Sequence, residues 1–146
     1  MPRSRALLLV LLCTVLNTAG FMFNIFEPVP LYDEIVHFLT PFTLVAITAE
    51  IIYRSGGDDV FFNTPRHALL TGAVIGFLGA GGWEIIEVLI DAYFPGARIY
   101  HALPDTIFDI VLGVAGGALG AWAADRYLDR IFRRSRRNPR RKIRSR

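Results

Sequence analysis

Residues 68–90 read ALLTGAVIGFLGAGGWEIIEVLI. These 23 residues hold two carboxylates and no basic group, and a helix needs roughly 20 such residues to cross about 30 Å of hydrocarbon. Three further apolar runs, at 6–26, 35–53 and 107–128, have similar lengths. The whole chain is 146 residues long and 53% hydrophobic, with a mean hydropathy of +0.40. A soluble domain of this length is less apolar and spreads its apolar residues over shorter elements. The expected fold is all-α: a four-helix transmembrane domain over 1–128, followed by a basic tail over 129–146.

The first run has a basic flank, MPRSR, as a secretory signal would. Its apolar stretch is longer than the 7–15 residues of a usual signal core, and it continues through Phe21, Phe23 and Phe26. It reads as a retained helix. Arginines then give orientation. Arg3 and Arg5 precede the first run, Arg54 and Arg66 separate the second from the third, and Arg126 begins the basic C-terminus. Those regions hold 15 of the 16 Lys and Arg residues, and Arg98 alone lies in the opposite set of loops. The positive-inside rule therefore predicts a multi-pass protein of a bacterial inner membrane with both termini cytoplasmic.

The net charge of +3 conceals a division: residues 1–128 carry −6 and residues 129–146 carry +9. The tail, RRSRRNPRRKIRSR, is expected to be a disordered arm that lies on anionic lipid headgroups. Nucleic acid is not an expected partner, because no aromatic residue is interleaved for base stacking. The lone Cys13 excludes an intrachain disulfide and disfavours a thiolate metal site.

Several acids sit where an apolar span has no use for them. Measured from Arg54, Arg66 and Arg126 at 1.5 Å per residue, His37, Glu84 and Asp109 all fall roughly 25–27 Å from the inner edge. Asp33, Glu87 and Asp105 form a second tier, one turn further out, near 31 Å. The pairs Asp33/His37, Glu84/Glu87 and Asp105/Asp109 are spaced three or four apart, so each pair shares one helix face. Asp91 extends the third-helix face, and His101 could fold over the mouth from the loop. Interfacial capping suits Asp33 but not Glu84, Glu87 and Asp91, which approach a helix C-terminus where the dipole disfavours acids.

Such a cluster admits more than one chemistry. Carboxylates and a histidine on facing helices suit a hard or borderline divalent metal, with His37, Glu84, Glu87 and Asp109 as candidate ligands. Glu34-x2-His37 matches the Glu-x-x-His element of di-iron bundles, but only one copy occurs. Without a metal, carboxylates this close share protons, which suits acid–base chemistry or a cation pathway. For catalysis the inner tier of His37, Glu84 and Asp109 stands first, and Asp33, Glu87 and Asp105 second. No Ser or Cys lies in the cluster, which disfavours a serine or cysteine nucleophile; Thr40 and Thr106 are the nearest hydroxyls. Arg98 is a candidate for binding an anionic group of a substrate, or for a salt bridge with Asp91 or Glu87.

Glycines recur at helix-packing spacing in Gly72-x3-Gly76, Gly113-x3-Gly117 and Gly116-x3-Gly120. Pro41 removes the N–H that would have bonded the carbonyl of His37. Thr64-Pro65 is a helix-start signal, and Pro104-Asp105 marks another near the first turn of the fourth helix.

The order YDEIVHF (32–38), GGWEIIEVLID (81–91) and PDTIFDIVLGVAGGALGA (104–121) resembles the VanZ-like family of small bacterial membrane proteins and a neighbouring group of uncharacterised inner-membrane proteins. The resemblance implicates Asp33, His37, Glu84, Glu87 and Asp109, with Gly116 and Gly120 as packing positions. Gly113 departs from it, standing where those proteins tend to carry Asn or Asp. The resemblance implies an envelope membrane protein, in some relatives linked to glycopeptide-antibiotic resistance, and supplies no settled reaction. Three functions therefore stay open: a site that binds a cation or acts on a lipid or envelope molecule, an accessory or transport-related subunit, and a purely structural bundle.

Overall fold

A computed structural model of the chain describes residues 3–26, 28–55, 64–94 and 102–132, with side chains at 6–26, 28–52, 64–94 and 102–124. Four helices result: α1 (Arg3–Phe23), α2 (Tyr32–Ser55), α3 (Pro65–Tyr93) and α4 (Leu103–Phe132). No strand occurs among the described residues. Each helix is long and apolar enough to cross a membrane.

The local signals act as their chemistry dictates. Thr64 caps α3, its hydroxyl accepting the His67 amide at 3.2 Å, with Pro65 in the first turn. α2 continues through Pro41 as one helix. Every helix departs from its expected run at both ends: α1 is shifted toward the N-terminus, and α2, α3 and α4 are longer than expected. The first apolar run extends to residue 26, but α1 stops at Phe23, because Asn24 takes a left-handed backbone at φ 49°. The Ile25 amide then bonds the Gly20 carbonyl at 3.2 Å, closing a Schellman-type end. Phe26 folds back over Gly20, where a Cβ would collide with its ring. At the other end α4 runs to Phe132, past the expected limit at 128.

α4 is the centre of the bundle, packed extensively on both α2 and α3, which touch each other little. Its glycines explain how one helix serves two neighbours. A Cβ at Gly113 would meet the Ala80 side chain, and one at Gly117 the Gly72 carbonyl, so this pair faces α3. Gly116 and Gly120 are opposed by the carbonyl oxygens of Phe38 and Phe42, so the second pair faces α2. Gly72 and Gly76 reciprocate from α3 against Gly117 and Gly113. Small residues at four-residue spacing let backbones approach closely, and van der Waals packing then supplies the association that lipid cannot. The contacts show α3 antiparallel and α2 parallel to α4.

α1 is peripheral and leaves Leu7, Leu8 and Leu11 largely exposed, as a lipid-facing helix does. Polar contacts hold it to α2. The Asn17 amide nitrogen donates to the Thr40 hydroxyl at 3.0 Å and to the Cys13 carbonyl at 2.9 Å. The Tyr32 hydroxyl donates to the Leu16 carbonyl at 2.6 Å. Phe21 reaches α3, its ring 6.0 Å from Trp83 in an edge arrangement. Interhelical hydrogen bonds in membranes average about 0.6 kcal/mol. Thr40→Val should therefore destabilise the bundle by about 0.6 kcal/mol in a detergent melt, with α1 the first helix lost to proteolysis.

Candidate functional site

One end of the bundle gathers the acids. Helical side chains lean toward their own N-terminus. His37 consequently reaches back to Asp33, and its Nε2 lies 3.4 Å from the Asp33 Oδ1. On the opposite side its Nδ1 lies 3.9 Å from the Asp109 Oδ1 of α4. One donor atom each from Asp33, His37 and Asp109 can be chosen so that all lie within 4.8 Å of one another. The approach of α2 to α4 at Gly116 and Gly120 makes this possible, because both acid pairs lie on the same end of those two helices.

α3 supplies the adjoining wall. Glu84 and Glu87 are 6% and 7% exposed. Glu87 also leans back one turn, and its Oε1 accepts the Trp83 indole N–H at 2.7 Å. It lies within electrostatic reach of Glu84, His37 and Asp33, while Asp109 senses Glu84 and Asp105. Faces of three helices thus meet around His37.

The proton count here is unusual. A neutral imidazole has one N–H and one acceptor nitrogen. His37 has a carboxylate oxygen beside each nitrogen, so one side opposes two acceptors unless a further cation, a proton or a metal ion, lies there. Asp109 is 2% exposed, and its Oδ1 has no hydrogen-bond partner. Glu84 Oε1 and the Thr106 hydroxyl are likewise buried without partners. Such groups normally find partners, and each left alone costs about 1–3 kcal/mol.

A family model described as a predicted membrane protein, DUF2238, matches residues 2–130. The chain belongs to that family. An uncharacterised protein of Thermotoga maritima is 24% identical over 100 residues, covering 68% of this chain and 50% of that protein. The chain therefore spans about half the length of the curated relative it matches. No solved structure matches it.

In this DUF2238 protein the tightest group differs from the ligand set His37, Glu84, Glu87 and Asp109. Asp33 takes a place beside His37, because a four-residue helical step and the lean of the imidazole bring them together. Glu84 and Glu87 form the neighbouring wall, with Glu87 engaged by Trp83. Asp105 is exposed at the start of α4 but has partners of its own. Arg98 and His101 lie outside the described residues, as does residue 133 onward of the tail.

Two features escape the acid-pair pattern. Trp83 reads as an ordinary interfacial aromatic until its N–H is seen on Glu87. Glu50, which the depth count from Arg54 passes over, is 8% exposed. The signal was present in the stripe Val36, Thr43 and Glu50, seven residues apart and buried together. Trp83→Phe should lower stability by about 1–3 kcal/mol, since it strips a buried carboxyl oxygen of its donor. Denaturation in detergent reads this, and a Trp83→Phe/Glu87→Leu double variant should recover part of the loss.

Proposed function

We propose that this integral membrane protein binds a divalent cation at Asp33, His37 and Asp109, with Glu84 and Glu87 completing or balancing the site. What carries the reading is the buried Asp109 oxygen without a hydrogen-bond partner, facing an imidazole already flanked by Asp33. A cation satisfies all of these groups at once. In tetrahedral sites with bonds of about 2.1 Å, ligand atoms stand ~3.4 Å apart, so the present spread needs only a modest closing of side chains. One imidazole with several carboxylates favours a borderline or hard ion such as Zn²⁺ or Mn²⁺.

The cation would hold a polar group of a lipid or envelope molecule at the end of the bundle. The charge pattern supports an outward-facing site in an inner membrane, and the resemblance of the motif order to that of VanZ-like proteins supports an envelope setting. Hydrolytic, transfer and binding roles all use such a centre.

Metal content by plasma mass spectrometry, on protein purified in detergent with Zn²⁺ or Mn²⁺ supplied, tests the reading. Stoichiometric metal in the wild type, lost in His37→Ala, is the expected result. Wild-type protein that carries no metal and takes up none in a titration overturns it.

A further inference from the structure

A cavity of about 360 Å³ opens between α2 and α3, with Asn17 of α1 at its side. It exists because α2 and α3 each pack on α4 rather than on each other. Its long walls are antiparallel and run from Val36 to Val45 on α2 and from Ile75 to Trp83 on α3. Nine residues of α2 and eight of α3 separate its ends, a length of about 12–14 Å.

The wall has little use for water. Its hydroxyl and amide, Thr40 and Asn17, are bonded to one another. His37 lies at one end of the lining, and it belongs to the Asp33–His37–Asp109 centre. Gly79 presents no side chain, and a Cβ placed there would meet nothing within 4 Å. Leu44 and Ile75 are 60% and 37% exposed, so the cavity is open sideways, at a depth where helices of this length meet hydrocarbon.

Each of these facts limits the occupant. Apolar cavities stay dry, and a void forfeits dispersion contacts along its lining. The volume lies within the range of small-ligand sites, which are mostly apolar with a few placed polar groups. An extended hydrocarbon chain entering from the bilayer is apolar, as the lining is, and reaches the groove through its open side.

We infer that the groove between α2 and α3 holds one acyl chain of a bilayer phospholipid, threaded past Gly79, with the headgroup end at His37. The placement of the head rests on the metal centre proposed above; the seating of the chain rests on the groove itself. The occupant enters laterally, so the site draws its ligand from the bilayer and not from water.

Native mass spectrometry of protein extracted from phosphatidylglycerol/phosphatidylethanolamine vesicles tests this. Wild type should retain one phospholipid, Gly79→Phe should lose it, and Gly81→Phe should keep it. Gly81 is equally open to a side chain but does not line the groove. A second measurement needs no variant: phosphatidylglycerol with a diazirine midway along one acyl chain should label wild type at Leu44, Ile75 or nearby groove residues. Labels spread over Leu11, Val74 and Val111 on the outer faces, with equal lipid retention in both glycine variants, would overturn the inference. Metal content on the same samples separates the two readings. Lipid lost with metal kept in Gly79→Phe supports the groove. Lipid retention that depends on Gly79 in a metal-free protein supports the groove and removes the metal centre.

Discussion

Asp109→Asn is expected to abolish tight divalent-cation binding and, in the same protein, to raise the stability of the metal-free state. The two effects have one origin. Asp109 is 2% exposed, and its Oδ1 has no hydrogen-bond partner. His37 Nδ1, its nearest basic neighbour, stands 3.9 Å away, beyond hydrogen-bonding range. An arrangement of that kind costs stability in the empty protein and is tolerated where a ligand resolves it. Removing the charge at constant volume relieves the part of that cost due to burying a charge, on the order of 1 kcal/mol, while the amide oxygen keeps the rest. It also removes a candidate ligand. Changing residues behind a metal ligand already costs 10–100-fold in affinity, so losing a ligand should cost on the order of 100-fold or more.

Thermal melts in detergent with chelator, paired with isothermal titration of Zn²⁺ and Mn²⁺, read both quantities. Opposite signs are the signature of a binding site. If Asp109→Asn binds metal as the wild type does and melts lower without it, Asp109 is a structural residue and the centre lies elsewhere.

Gly117→Val should be among the most damaging single substitutions in the bundle. A Cβ at Gly117 would strike the Gly72 carbonyl oxygen, and would stand 2.8 Å from the Gly76 Cα and 3.0 Å from its amide nitrogen. All three are backbone atoms of α3, so no side chain can swing aside and the helix itself must retreat. Overpacking ordinarily costs 1–3 kcal/mol, and a whole helix–helix contact at stake puts this case at about 3 kcal/mol or more. Metal binding should fall with stability, because α3 carries Glu84 and Glu87 against the centre. Gly81→Val is the matched control, since nothing lies within 4 Å of a Cβ there. Melting temperature, protease resistance and metal content should all separate the two variants. Equal behaviour would mean that α3 and α4 do not meet through these glycines.

These two experiments probe residues of different legibility. The acid pairs were readable because a charge inside a long apolar run is conspicuous, and helical spacing assigns each pair to one face. That Asp109, and not Glu84, would be the facing-helix acid closest to His37 was not readable. It follows from the lean of side chains and from how far α4 approaches α2. Glu50 shows the same limit from the other side. The depth count passes over it, and only the packing of α2 on α4 turns that face inward. The glycines of α4 declared a close contact but not which helix each pair would meet.

The sequence by itself determined that four helices form and that their length matches a membrane. It also determined which charged residues share a helix face. These are properties of composition and of a fixed rise per residue along one chain. Only the tertiary structure decided the rotation of each helix about its axis. That rotation brings Asp109 to His37, gives each glycine pair of α4 its own neighbour, and leaves the groove past Gly79 unfilled. The physical reason is that close backbone packing at Gly72, Gly76, Gly113, Gly116, Gly117 and Gly120 sets it, and such packing is a relation between helices that no single helix encodes.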